Sequence, residues 1–163
     1  MSSSPEEKYR ALMRVVRTRF DMIALLQGSV GDCFLVAEAC AFHGRKIVEG
    51  IAFGCLIAVE HGLGEVPRDV RGKWNADAIL LSLKKKNLET VFPSPSIIRP
   101  VTAEERRAHP GIGATIEGQP DRRMTLDELS DAYTALHRWN HEINPYVDDD
   151  RDGFLNKHEG SLW

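Results

Sequence analysis

Residues 33–61 read CFLVAEACAFHGRKIVEGIAFGCLIAVEH, a single long helix. Phe34, Val36, Ala37, Phe42, Ile47, Val48, Ile51, Phe53, Leu56 and Ile57 nearly encircle its second half. A helix apolar on most sides belongs at the centre of a helical assembly. Gly44, Gly50 and Gly54 lie inside it, and each costs about 1 kcal/mol relative to alanine. Gly50-x-x-x-Gly54 followed by Ala58 makes a small-residue stripe, which predicts close approach of a second helix. Glu38, Arg45, Lys46 and Glu49 interrupt the apolar pattern and call for partners.

The neighbours of this segment are also helical. Before it, Met13, Val16, Phe20, Ile23 and Gln27 recur at helical spacing and predict a first helix over residues 6–27 with that face inward. Residues 28–31 break it, and Asp32 can cap the central helix. After Gly62-Leu63-Gly64 a third helix is expected over residues 73–88, with Trp74, Ala78, Leu81 and Leu88 inward and Lys84-Lys85-Lys86 on a solvated face. Residues 89–124 form a Pro- and Gly-rich insertion with room for one small β-hairpin. Its first part, residues 91–100, must be extended, and residues 111–118 can form a strand. Thr125-Leu126-Asp127-Glu128 is a capping box that opens a fourth helix. Leu126, Leu129, Tyr133, Leu136, Asn140 and Ile143 follow at helical spacing until Pro145. The expectation is an all-α chain, a four-helix bundle over residues 1–146 with an insertion at 89–124 and an acidic tail at 147–163.

The chain has 163 residues, enough for one domain, and 42% are apolar, enough for a core. Its net charge of −3 disfavours strong, non-specific DNA binding. The longest apolar run, residues 51–59, falls well short of the roughly 20 residues of a membrane span. The first residues lack an apolar signal core. A cytoplasmic protein with no membrane partner is expected. Cys33, Cys40 and Cys55 show no Cys-x-x-Cys spacing and read as small buried apolar residues.

Candidate chemistry centres on the fourth helix. Tyr133, His137 and His141 stack along one side, with Asn140 and Asn144 beside them. Asn140 occupies the apolar seam, where an unpaired amide costs about 1–3 kcal/mol, so it needs a partner. Arg45 with Glu38 or Glu49 of the central helix is the natural candidate. Three readings follow: a buried polar network that fixes helix register, a site where His141 titrates and Arg45 holds an anion such as phosphate, or surface histidines with no role. His43, His61 and His109 have no ligand-spaced partners, and Arg106-Arg107 and Arg122-Arg123 are offset by nearby acids.

Several pieces, in order, carry a resemblance. They are Glu38, then Arg45-Lys46-Ile47-Val48-Glu49-Gly50-Ile51-Ala52-Phe53, then Phe92-Pro93-Ser94-Pro95, then Tyr133 to His141 and Asn144-Pro145-Tyr146. Over roughly residues 20–146 the chain resembles an uncharacterised bacterial helical family with Arg-Lys-Ile-x-Glu and His-x-x-Asn-Pro motifs. More distantly it resembles the HEPN superfamily of helical bundles. That likeness implies a homodimer and a role in bacterial defence or toxin–antitoxin systems, either as an interaction or regulatory module for an RNA or protein partner, or as a metal-independent ribonuclease. The residues it singles out are Arg45, His141, Glu38, Glu49, Tyr133, His137 and Asn144. In the enzyme, a histidine would serve as acid or base and an arginine would stabilise developing charge. Active HEPN ribonucleases carry Arg-x4–6-His, whereas Arg138 and His141 here are too close; only Arg151 and His158 fit that spacing.

A separate pattern lies in the tail. Residues 148–159, DDDRDGFLNKHE, fit the twelve-residue EF-hand loop. Asp148, Asp150 and Asp152 would supply carboxylates, Phe154 its carbonyl, Asn156 a direct or water-borne contact and Glu159 a bidentate carboxylate to Ca2+. Gly153 would make the turn. Against this, Pro145 disrupts the entering helix, few residues follow Glu159, and no second hand exists to pair with.

Overall fold

The structure is a computed structural model, and it describes residues 4–29, 33–63, 65–88, 96–119, 124–140 and Gly153. The chain divides into two units, residues 92–125 and the remainder.

Among the described residues the larger unit is built on four α-helices. Helix α1 spans Pro5–Gln27; Ser4 and Glu7 form a capping box at its start, with Pro5 in the first turn. Helix α2 spans Cys33–Ala58 and runs into a π-turn at Val59–Leu63. Helix α3 spans Ala76–Lys85. The helix Leu126–Arg138, here α5, completes the unit. Helix α2 packs against α1, α3 and α5, and α3 also touches α5. The central position predicted for α2 is therefore observed. Asp32, its expected cap, lies outside the described residues.

Glycine explains how closely α1 lies on α2. A Cβ built on Gly50 would sit 2.5 Å from Val16 Cγ2, and one on Gly54 would sit 3.3 Å from Met13 Cε. The stripe thus removes side chains where the two helices cross. Gly44 serves α5 in the same way, with Leu136 Cδ1 3.1 Å from a Cβ built there. Beyond it, Phe34, Ala37, Ala41 and Trp139 form a core cluster, with Phe34 and Trp139 ring centroids 6.1 Å apart. Near the other end of α1, Arg19 Nη1 lies 3.0 Å from His43 Nδ1, so that nitrogen accepts. Burial, and then the Arg19 charge, hold the His43 imidazole below its usual pKa.

Several expected inward residues face water. Phe20 is 57% exposed on α1, and Phe42 is exposed on α2. Helix α3 is shorter than residues 73–88 and turned differently. Asn75 Oδ1 accepts from the Ala78 N–H at 3.3 Å, so the helix starts after Asn75. Asn87, with φ 54°, lies beyond its end. Trp74 precedes the cap, is off the helical phase and is 82% exposed. Leu81 is exposed too, while Ile79, Leu80 and Leu83 are the buried residues. The three lysines are exposed as expected, though Lys84 bonds Asp127 of α5 and Lys86 lies 3.6 Å from Asp69. Of the cysteines, all free, only Cys55 is buried; Cys33 is exposed and Cys40 half-buried. Burial pushes the Cys55 thiol up to about 11.

The smaller unit holds the expected hairpin. Strand β1, Ser96–Pro100, pairs antiparallel with β2, Ala114–Gly118, placing Ile98 opposite Ile116. A short helix, α4, Ala103–Ala108, sits between them in sequence, opened by a Thr102–Glu105 capping box. Arg99 Nη2 and Nη1 donate to the two Glu105 oxygens at 2.7 and 2.9 Å, and Nε donates to Glu117 at 3.0 Å. One guanidinium thus ties both strands to α4. The description all-α gives way to a mostly helical chain with one two-stranded antiparallel sheet.

Candidate functional site

Polar side chains of α2 and α5 meet at one cleft. Arg45, Lys46 and Glu49 follow one another along α2 at spacings of one and three, which brings all three to one side. Tyr133 and His137 stand one turn apart on α5. The two aromatic rings are stacked at 6.3 Å with planes 8° apart. Across the interface, the Arg45 guanidinium lies 5.3 Å from the centre of the Tyr133 ring.

Glu49 is the hub. It is 8% exposed, yet its carboxylate has three partners. Lys46 Nζ donates to Oε2 at 2.7 Å, Arg45 Nε lies 3.3 Å from Oε1, and the Tyr133 hydroxyl donates to Oε1 at 3.4 Å. A buried carboxylate persists only when it is paired in this way. The Arg45 Nε is itself buried, and its approach to Glu49 is not aligned as a hydrogen bond.

The cleft these residues line has a volume of about 410 Å³. Its far wall is the start of α3: Trp74, Asn75 and Asp77, with Thr134 beside His137. Asp77 Oδ1 accepts from the Ser130 hydroxyl of α5, which fixes that wall against the helix. The Trp74 indole packs edge-on to Phe53, centroids 6.2 Å apart, while most of its surface faces water. The cleft therefore presents two cations, an imidazole, an exposed indole and two carboxylates.

Four of the seven expected site residues converge: Arg45, Glu49, Tyr133 and His137. Glu38 does not. It is half-buried two turns before Arg45 and is not part of the cleft lining. Asn140 was expected to need a partner from α2; instead its Nδ2 donates to the Leu136 carbonyl at 2.8 Å, one turn back on its own helix. His141 and Asn144 lie outside the described residues. So do Asp148, Asp150, Asp152, Phe154, Asn156 and Glu159 of the EF-hand-like loop, of which only Gly153 is described. Among the described residues no group of three His, Cys, Asp or Glu side chains is arranged to hold a metal ion.

Lys46, Trp74, Asn75, Asp77 and Thr134 were not expected at the site. Lys46 carried a signal, as a polar break in an apolar helix. The Trp74 contribution was hidden because a tryptophan near a helix start reads as core.

No protein family, curated protein or solved structure matches the chain. Among the described residues no helix is long and apolar enough to cross a membrane.

Proposed function

We propose that the chain is a helical RNA-binding module that takes a single-stranded segment into the cleft between α2, α3 and α5. The observation that carries this reading is the opening of Arg45, Lys46 and the indole of Trp74 onto one cleft. Phosphate needs cationic donors, and an unstacked base needs an aromatic face; base–aromatic stacking is worth about 1–3 kcal/mol. The HEPN-like resemblance points to the same ligand class and to a bacterial defence or toxin–antitoxin setting. In a cleaving, metal-independent version of this site, His137 takes the proton of the 2′-hydroxyl as that oxygen attacks phosphorus and passes it to the 5′-oxygen as the P–O5′ bond breaks, leaving a 2′,3′-cyclic phosphate, while Arg45 stabilises the charge that builds on the phosphoryl oxygens.

The alternative is an interaction or regulatory module without catalysis. It is favoured by the engagement of both cations with Glu49, which leaves neither dedicated to a substrate.

The test is fluorescence anisotropy of a labelled single-stranded RNA with the full chain, alongside a cleavage gel in EDTA. Binding should weaken about tenfold in Trp74→Ala and more in Arg45→Ala with Lys46→Ala, and should fall with added salt. Cleavage lost in His137→Ala with binding retained selects the enzyme. Binding with intact RNA after long incubation selects the regulatory module. No binding at low salt overturns the proposal.

A further inference from the structure

The start of α3 gives the cleft a wall that its cations do not explain. Trp74, Asn75 and Asp77 fall within four consecutive positions, and all three line the cleft. Asn75 spends its Oδ1 on the Ala78 N–H, which fixes the orientation of the amide. Among the described residues its Nδ2 donates to nothing. Asp77 is half-buried, and its Oδ1 accepts from the Ser130 hydroxyl of α5. Among the described residues its Oδ2 has no partner. Ser130 therefore holds the carboxylate in place without saturating it, because each carboxylate oxygen can accept twice. Beside an exposed indole, the wall presents an oriented amide donor and a carboxylate with room on both oxygens.

We propose that the base stacked on Trp74 is guanine, read by Asp77 and Asn75; the inference rests on the single-stranded RNA reading given above. Unpaired bases are recognised by stacking and by hydrogen bonds to their open pairing edges. A carboxylate only accepts. Of the four RNA bases, guanine alone carries two adjacent donors on that edge, N1–H and the N2 amino group. Those two donors match the two oxygens of Asp77. The remaining group on the edge, O6, accepts, and Asn75 Nδ2 is the donor for it. Adenine would turn its N1 lone pair on the carboxylate. Cytosine has a single amino group beside the N3 lone pair, and uracil has one N–H between two carbonyls. Each of these three sets an acceptor against one Asp77 oxygen. Arg45 and Lys46 serve the phosphate, which is the same in every nucleotide, so base choice falls to this wall.

The experiment is fluorescence anisotropy of the full chain with labelled oligouridines that carry one central guanosine, adenosine, cytidine or inosine. The guanosine strand should bind about tenfold or more tighter than the adenosine, cytidine and all-uridine strands, the discrimination of one bidentate contact. Inosine, which lacks only the N2 amino group, should fall between them. Asp77→Asn should bring the guanosine strand to the level of the others, with circular dichroism as the check on folding. The inosine comparison needs no variant. Equal binding of every strand, preference for another base, or inosine bound as tightly as guanosine overturns the guanine assignment and leaves the RNA reading standing. A folded Asp77→Asn chain that keeps the guanosine preference overturns the assignment too. No binding of any strand overturns the RNA reading and this inference with it.

Discussion

Gly50 decides how near α1 can come to α2. Its missing side chain is occupied by Val16 Cγ2, at 2.5 Å from where a Cβ would be. Alanine there gains about 1 kcal/mol of helix propensity but overpacks a stiff β-branched neighbour at about 1–3 kcal/mol. Gly50→Ala is therefore expected to lower stability by up to about 2 kcal/mol in urea unfolding. Gly62→Ala, where nothing lies within 4 Å, should lose nothing. Asn140 and Trp139 show the limit of periodic reading at this scale. The 3-and-4 spacing of α5 pointed to Asn140 as the next seam position. The helix ends at Arg138, however, and Trp139, three residues on from Leu136 and 2% exposed, takes the core position while Asn140 bonds back to Leu136. The twelve-residue tail pattern is a residue-scale question of the same kind. On the calcium reading of residues 148–159, calorimetry shows one calcium taken up per chain and abolished by Glu159→Gln, since the twelfth position would supply both oxygens of its carboxylate. A flat titration of the wild type removes the calcium reading.

At the scale of elements, α2 was legible and α3 was not. The apolar run of α2 is long enough that its extent and its glycines' purpose follow from pattern alone. Helix α3 has ten residues, and its apolar positions permit more than one face. Anchoring the face on Trp74 chose the wrong one, because a residue ahead of the Asn75 cap does not share the helix's phase. The hairpin was half visible, its second strand in the Gly-flanked run and its first only as an extended Pro-bounded stretch. What the sequence could not display is the Arg99 clamp, which joins residues 6 and 18 positions apart. Hydrogen bonds from Arg99, then from the Thr102 backbone, hold the Glu105 carboxyl down to about 2 against an ordinary 4.5. A depressed carboxylate contributes stability in full above its unfolded value and loses it as pH falls toward its folded one. The hairpin and α4 should therefore loosen between pH 4.5 and about 2, seen as collapsing amide dispersion in NMR spectra. Glu105→Gln should loosen the same residues already at neutral pH and flatten the response through that window.

For the molecule as a whole, the meeting of α2 with α5 was foreseeable because α2 spends charged groups where pattern demands apolar ones and α5 stacks an imidazole one turn beyond Tyr133 of its seam. The third wall was not foreseeable, since it depends on where the chain arrives after a loop. That same third helix is fastened to α5 at its far end: Lys84 Nζ donates to both Asp127 oxygens, at 2.7 and 2.6 Å. In sequence, Lys84 precedes and Asp127 follows residues 92–125, and both belong to the larger unit. The tie between α3 and α5 is thus made by residues of the larger unit alone. Residues 92–125 are in that sense a cassette, open to lengthening, trimming or replacement over evolutionary time without unfastening the frame that carries the cleft.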